Sequence, residues 1–168
     1  GGTWGGVVYN CTLTGNSAAD GGGTCGGLLY NCALSGNSAS SGGGAAGGTL
    51  YNCTLTGNSA EYSGGGAYGY GNPKRTLYNC VVYFNTAPFG MNYSDEVVFD
   101  HCCALPLPPG AGNIAADPRC VTATHLSPVS PCIGAGSAAY ATGTDIDGEP
   151  WADPPCIGAD QIVPGLAT

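Results

Sequence analysis

A short motif built around Asn-Cys recurs along the first part of the chain and sets the strongest limit on its fold. In its most regular copies it reads Tyr-Asn-Cys-Thr-Leu-Thr-Gly-Asn-Ser-Ala. The Asn-Cys pairs are spaced 21, 21 and 27 residues apart, and a degenerate copy, His101-Cys102, follows 22 residues later. A period near 21 residues is too short for two helices with their turns. It suits three short strands and three bends, which make one coil of a parallel β-solenoid.

Within each copy, residues alternate as they do in a strand with one buried face. Cys53 and Leu55 point to the side that we take as the core, whereas Thr54 and Thr56 point outward. Cysteines at the same repeat position are expected to form a buried column: Cys11, Cys32, Cys53, Cys80 and Cys102.

The bends of each copy carry asparagine, which tolerates the left-handed backbone conformation. Equal asparagines on stacked coils can also hydrogen-bond in a ladder. We expect such ladders to be formed by Asn10, Asn31, Asn52, Asn79, Asn16, Asn37, Asn58 and Asn85. The tyrosines before the first bend are likewise expected to stack, namely Tyr9, Tyr30, Tyr51 and Tyr78.

Composition agrees with a solenoid and argues against several classes of function. Glycine supplies 31 of 168 residues, and only 8% of residues are charged. The net charge of −8 argues against nucleic-acid binding, which needs a basic stripe to neutralise phosphates. No apolar run approaches the roughly 18 residues that span a bilayer.

The ten cysteines, together with the scarcity of lysine, suggest an oxidising, extracellular setting. Neighbouring column cysteines lie at a spacing that a disulfide can bridge, but their parallel Cβ vectors make such bridges partial at most. The irregular C-terminal part is expected to hold two disulfides, Cys132 with Cys156 and Cys103 with Cys120, which leaves Cys25 unpaired.

The repeat over roughly residues 1–113 resembles the right-handed parallel β-helix, the pectin-lyase-like fold, of secreted bacterial surface proteins. The later segments Thr144 to Pro150 and Ile157 to Asp160 resemble the C-terminal choice-of-anchor module of such proteins. The resemblance implies coils over residues 1–103 and a Pro-rich capping module over 104–168 that closes the helix. Trp151 replaces the usual Arg and Gln161 the usual Glu, which puts the module's salt bridge in doubt.

Parallel β-helices include polysaccharide lyases and glycoside hydrolases, so the acidic and basic residues of the chain are candidates for catalysis. A lyase needs a base and calcium-binding carboxylates, and a hydrolase needs two carboxylates about 5–10 Å apart. Arg75, Asp95 and Asp100 are the candidates for such a site. A polar loop between coils four and five is the favoured interpretation of these residues. His125 is interpreted as a solvated or hydrogen-bonded loop histidine.

Three further patterns point to ligands or modification. Asp145 and Asp147 open like a calcium loop but lack its later ligands, so a tight Asp-Gly turn is favoured and no cofactor is expected beyond a structural calcium. Asn92, in Asn-Tyr-Ser, is the glycosylation sequon expected to be accessible. The Thr-x-Thr rows resemble those of ice-binding proteins, but they fail at Ala33, so ordinary β-propensity explains them better.

These observations favour an extracellular structural scaffold that acts in adhesion or self-assembly. The sequence begins inside a repeat, so an open first coil is expected, and it would pair head-to-tail with another chain to give a filament. The expected partners are a second copy of the chain or a cell-surface glycan. The alternative is a carbohydrate-active enzyme or carbohydrate-binding protein.

Overall fold

The computed structural model describes residues 1–70 and 74–162, and all regular secondary structure in them is β-strand. The strands stack as a parallel β-solenoid of about five turns, as the repeat predicts. Each coil contributes one strand to each of up to four parallel sheets. The sequence predicted three strands per coil; the fourth is a two-residue strand that follows the glycine cluster, as in Thr24–Cys25.

The strands that lead into the Asn-Cys bend form a first sheet, which we call the tyrosine sheet. Its members are Val7–Tyr9 (β2), Leu28–Tyr30 (β6), Thr49–Tyr51 (β10), Arg75–Tyr78 (β14) and Val97–Asp100 (β16). The strands that leave the bend form the threonine sheet, with Thr12–Thr14 (β3), Ala33–Ser35 (β7), Thr54–Thr56 (β11), Val81–Tyr83 (β15) and Cys103–Ala104 (β17).

Two smaller sheets complete the coils. The serine sheet contains Ser17–Asp20 (β4), Ser38–Ser41 (β8) and Ser59–Ser63 (β12). The alanine sheet contains the two-residue strands Thr3–Trp4 (β1), Thr24–Cys25 (β5), Ala45–Ala46 (β9) and Ala67–Tyr68 (β13). Equal repeat positions pair in register, so Leu55 lies beside Leu34 on one coil and Val82 on the next.

The core is a set of columns that run along the solenoid. Leu29, Leu50 and Leu77 enter it from the tyrosine sheet, and Leu34 and Leu55 face them from the threonine sheet. Four of the five column cysteines are fully buried among them: Cys32, Cys53, Cys80 and Cys102. Cys11, on the first coil, is exposed.

The asparagines form two hydrogen-bonded ladders. In the outer ladder (Asn10, Asn31, Asn52 and Asn79) each residue has a φ between 48° and 55°, the left-handed conformation that the sequence predicted. Asn52 Nδ2 donates to Asn31 Oδ1 at 3.1 Å, and Asn79 Nδ2 repeats the contact at 3.0 Å on the next coil. The tyrosines stack beside this ladder with ring centroids 4.8–4.9 Å apart.

The inner ladder contains Asn16, Asn37, Asn58, Asn85 and Asn92. Asn58 Oδ1 accepts from both the backbone N–H and Nδ2 of Asn37, and Asn58 Nδ2 donates to the Leu34 carbonyl. Three of its members are almost completely buried, so water cannot replace their hydrogen-bond partners in the folded coil: Asn37, Asn58 and Asn85. A buried amide without hydrogen-bond partners destabilises the folded state by about 1–3 kcal/mol, so the intact ladder contributes strongly to the free energy of unfolding.

The glycine clusters turn each coil where neighbouring coils approach most closely. A Cβ at Gly43 would overlap with the Ser59 carbonyl oxygen of the next coil. Much of the glycine in the composition is therefore required by contact between backbones, since any larger side chain would separate the coils.

The residues after the coils divide into two parts. Residues 105–114, the end segment, lie across the last coil, where Ala104 N donates to the Ile114 carbonyl and His101 N to the Ala111 carbonyl. Residues 115–162, the lateral segment, pack on the outward side of the threonine sheet, where Leu126 and Ile157 join Val81 in a second apolar cluster. The expected module thus covers one side of the solenoid as well as its end. Its last residues, 163–168, lie outside the described residues.

Replacing Asn58 by Ala is expected to lower the free energy of unfolding by about 3 kcal/mol, because the Asn37 N–H and the Leu34 carbonyl lose their partners. Asn16→Ala, at the solvent end of the same ladder, should cost about 1 kcal/mol. Urea unfolding of both variants measures the difference, and equal losses would contradict the importance of the buried rungs.

Candidate functional site

The lateral segment uses the outer ladder as a row of hydrogen-bond donors. Asn79 Nδ2 donates to the Ser137 carbonyl at 2.9 Å, and Asn52 Nδ2 donates to the Tyr140 carbonyl at 3.0 Å. Asn31 Nδ2 likewise donates to the Thr144 carbonyl, and Asn10 Nδ2 donates to the Asp145 carbonyl, both at 2.6 Å. The segment therefore runs from coil four back to coil one, opposite to the order of the coils.

The outward threonines of the middle coils are covered by the same segment. Thr54 Oγ1 accepts a hydrogen bond from Ala159 N at 3.0 Å, and Gly158 N donates to the Asn79 carbonyl at 2.8 Å. Thr54 is 2% exposed and Thr56 is 8% exposed, although both point away from the core. The outward direction predicted for them is confirmed, but on this coil the two hydroxyls are closed to an external surface such as ice, whereas Thr12 and Thr14 of coil one are exposed.

Asp100, one of the catalytic candidates, is occupied by neighbouring side chains. The Tyr140 hydroxyl donates to Asp100 Oδ2 at 2.7 Å, and His101 Nδ1 lies 2.6 Å from Asp100 Oδ1. The hydrogen bond to this carboxylate raises the pKa of Tyr140 to about 12. The Tyr140 ring also packs 4.4 Å from the Tyr78 ring, so Asp100 holds the lateral segment against the tyrosine stack.

Asp95, the second candidate, lies in a shallow cleft of about 360 Å³ at the edge of the alanine and serine sheets. The cleft also contains Glu96 and the aromatic rings of Tyr68 and Phe89. Asp95 lies in the turn before strand β16, whereas Asp100 is the last residue of that strand and is not among the residues that line the cleft.

Arg75, the third candidate, begins strand β14, where it pairs in register with Val97. Its Nε is buried and has no hydrogen-bond partner among the described residues. The three candidates are thus spread over both ends of the tyrosine sheet and are not gathered in one cleft.

All ten cysteines are free, so the two predicted disulfides are absent. Cys103 Sγ donates to the Ala116 carbonyl at 3.1 Å, and Cys156 Sγ accepts from Ile162 N at 3.5 Å. A hydrogen bond with the Cys132 thiol, followed by burial, raises the pKa of Cys103. Burial raises the pKa of Cys120 to about 11. These thiols serve as apolar and hydrogen-bonding groups between the lateral segment and the coils.

The expected calcium residues, Asp145 and Asp147, do not come together as a pair of ligands. Asp145 is fully buried, and its carboxylate accepts three backbone hydrogen bonds, from Asp147, Glu149 and Gln161. The sequence is thus a tight turn, with Gly148 at a φ of 92°. The Asp147 side chain turns to His125, and this pairing across 22 residues has no signal in the sequence.

Asn92 is only 6% exposed, so the prediction of an accessible glycosylation site at this residue is wrong. It occupies the position that Gly44 and Gly66 hold in earlier coils. Its side chain points inward, and its Oδ1 accepts from Asn85 N and Nδ2. Asn92 therefore ends the inner ladder, which would otherwise lack a partner beyond Asn85.

Comparison with protein families, curated proteins and solved structures gives no match to this chain. The solenoid is accordingly established by its own geometry. Among residues 1–70 and 74–162 no helix has the length and apolar character to cross a bilayer.

Replacing Thr54 by Val keeps the shape and β-propensity of the side chain but leaves Ala159 N without its acceptor. We expect the free energy of unfolding to fall by roughly 1–2 kcal/mol. Thr12→Val, at the equivalent and exposed position of coil one, should change it by less than about 0.5 kcal/mol. Chemical denaturation of both variants tests this, and an equal effect would argue against the lateral packing.

Alkylation under denaturing conditions without reductant should add ten groups to the chain, since all ten thiols are free. Intact-mass spectrometry gives the count. A total of about eight would establish one disulfide and contradict the described state of the cysteines.

Proposed function

We propose that this protein is a structural scaffold at an extracellular surface. In this role the coils form a stiff body that presents its uncovered sides, while its own C-terminal residues occupy the threonine side. The resemblance of the repeat and of the C-terminal motifs to bacterial surface β-helix proteins supports the extracellular location. The cysteines no longer support it, because none is in a disulfide.

The main support for this proposal is that the polar residues in the bends are already hydrogen-bonded within the protein. The side-chain amides of both asparagine ladders bond to neighbouring coils or to the lateral segment, as Asn58 Nδ2 and Asn31 Nδ2 do. The Asp100 carboxylate likewise bonds to Tyr140 and His101. Groups that hold each other in this way support a structural role, since a catalytic group has to reach a substrate.

Self-assembly is retained in the proposal, but the head-to-tail form is disfavoured. Such stacking needs a free face at each end of the solenoid. At the last coil, the end segment already engages the edge of the sheets through Ile114 and through Asn113, whose Nδ2 donates to the Phe99 carbonyl.

A second candidate function, glycan binding, is favoured by the cleft around Asp95. Phe89 is 72% exposed there, beside Tyr68 and two carboxylates, Asp95 and Glu96. An exposed aromatic face with adjacent hydrogen-bond acceptors suits the apolar face and the hydroxyl groups of a sugar ring. In this form the scaffold holds a cell-surface glycan without cleaving it.

Affinity electrophoresis and a turnover assay on one panel of polysaccharides separate these functions. The scaffold with a glycan cleft predicts retardation by at least one polysaccharide, and about tenfold weaker retardation for Phe89→Ala. Tyr62→Ala, which removes an aromatic ring that is 64% exposed outside the cleft, is the matched control and should bind as the unaltered protein does.

Release of reducing ends or of unsaturated uronate by the unaltered protein, abolished by Asp95→Asn or Asp100→Asn, would overturn the scaffold in favour of the enzyme. Retardation that survives in Phe89→Ala would overturn the cleft as the binding site. Without any retardation the glycan function fails, and electron microscopy of the protein then decides between assembled and dispersed scaffolds.

A further inference from the structure

Three side chains from distant parts of the lateral segment meet at one point. His125 Nε2 lies 2.7 Å from Asp147 Oδ2, and one ligand atom from each of His125, Asp147 and Asp160 lies within 4.8 Å of the others. His125 lies beside the bridge between Cys120 and Leu126, Asp147 is in the turn after Asp145, and Asp160 lies near the end of the described residues. The three residues thus join separate loops.

Each of the three groups is held in place by a further hydrogen bond. His125 Nδ1 lies 2.6 Å from Thr124 Oγ1 and 3.0 Å from Thr122 Oγ1. When Nδ1 carries the ring proton and donates it to a hydroxyl, Nε2 presents its lone pair towards the two carboxylates. Asp160 Oδ2 accepts from Leu126 N at 2.8 Å, and Asp147 N donates to the buried Asp145 carboxylate at 3.0 Å.

The charge at this point is negative and has little compensation from the protein. Asp160 is only 3% exposed, and its carboxyl group converges with that of Asp147. Within the described part of the chain, ion pairs involve only the histidines, His101 with Asp100 and His125 with Asp147. A divalent cation would neutralise two converging carboxylates, which a single imidazole cannot do.

We propose that His125, Asp147 and Asp160 bind a divalent first-row transition cation, with Zn²⁺ as the preferred occupant. One imidazole and two carboxylates are ligands that zinc accepts at about 2.0–2.2 Å, which sets neighbouring ligand atoms about 3.3 Å apart in a tetrahedron. His125 Nε2 and Asp147 Oδ2, at 2.7 Å, are closer than that value, and all three ligand atoms lie within 4.8 Å of one another, so small side-chain rotations complete the site. Calcium prefers six to eight oxygen ligands and fits it less well.

The cation would act as a clasp for the lateral segment. Its ligands connect the loop around His125 with the turn of Asp145, whose carbonyl accepts from Asn10 of the first coil. Binding to the folded segment alone raises its stability in proportion to the logarithm of the cation concentration. This inference is independent of the proposed scaffold and glycan functions.

Titration of the purified full chain with Co²⁺ as a spectroscopic probe, and with Zn²⁺ in competition, tests the site. We expect one cation per chain with visible bands of nitrogen and oxygen ligation. His125→Asn and Asp147→Asn should each weaken binding about 100-fold or more. His101→Asn is the matched control: position 101 has a φ of 51°, like the asparagines of earlier coils, and its variant should bind normally.

An intense near-ultraviolet charge-transfer band would assign the cation to cysteine thiolates and overturn the proposal. Binding that is absent from the unaltered chain, or undiminished in Asp147→Asn, would overturn it as well. Asp147 is exposed, so this variant should keep its fold, which circular dichroism checks. In the unaltered protein, Zn²⁺ should also shift the ring signals of His125 and leave those of His101 in place. A shift of His101 alone would contradict the site.

Discussion

The hydrogen bonds of the asparagine ladders are the interaction on which the remaining structure depends. A parallel solenoid satisfies its strand backbone by stacking, but its bends leave amides and carbonyls that stacking alone does not pair. The inner ladder supplies these partners from inside the coil, as when Asn58 Oδ1 accepts from the backbone N–H of Asn37 in the preceding bend. The outer ladder supplies them at the surface, and the Nδ2 groups of its asparagines also donate to carbonyls of the lateral segment. Core columns, tyrosine stack and lateral packing all require the register that the ladders set.

The repeat alone predicted the solenoid, the inward cysteines and the left-handed asparagines, because each of these follows from local periodicity. Features that join positions distant in sequence were not predictable in this way. Asn92 breaks the repeat, yet it lies on the inner ladder because the coil returns to that point. The pairing of His125 with Asp147 depends on how two irregular loops fold, and periodicity contains no information on that.

The cysteines illustrate how composition can mislead. A high count in a chain poor in lysine is typical of disulfide-bonded proteins, but here four of the ten cysteines fill a core column. Four others lie in the apolar cluster between the lateral segment and the threonine sheet, namely Cys103, Cys120, Cys132 and Cys156. In both places the thiol packs as a small, buried apolar group.

The lateral segment also relates the length of one part of the chain to the number of coils in another. Its carbonyls at Ser137, Tyr140 and Thr144 meet asparagines on successive coils, so their spacing matches the distance between neighbouring strands. Loss or duplication of a single repeat would shift each later contact by one coil, about 4.8 Å. The number of repeats is therefore constrained by the length of the lateral segment, because a coil gained or lost would leave asparagines and carbonyls without their present partners.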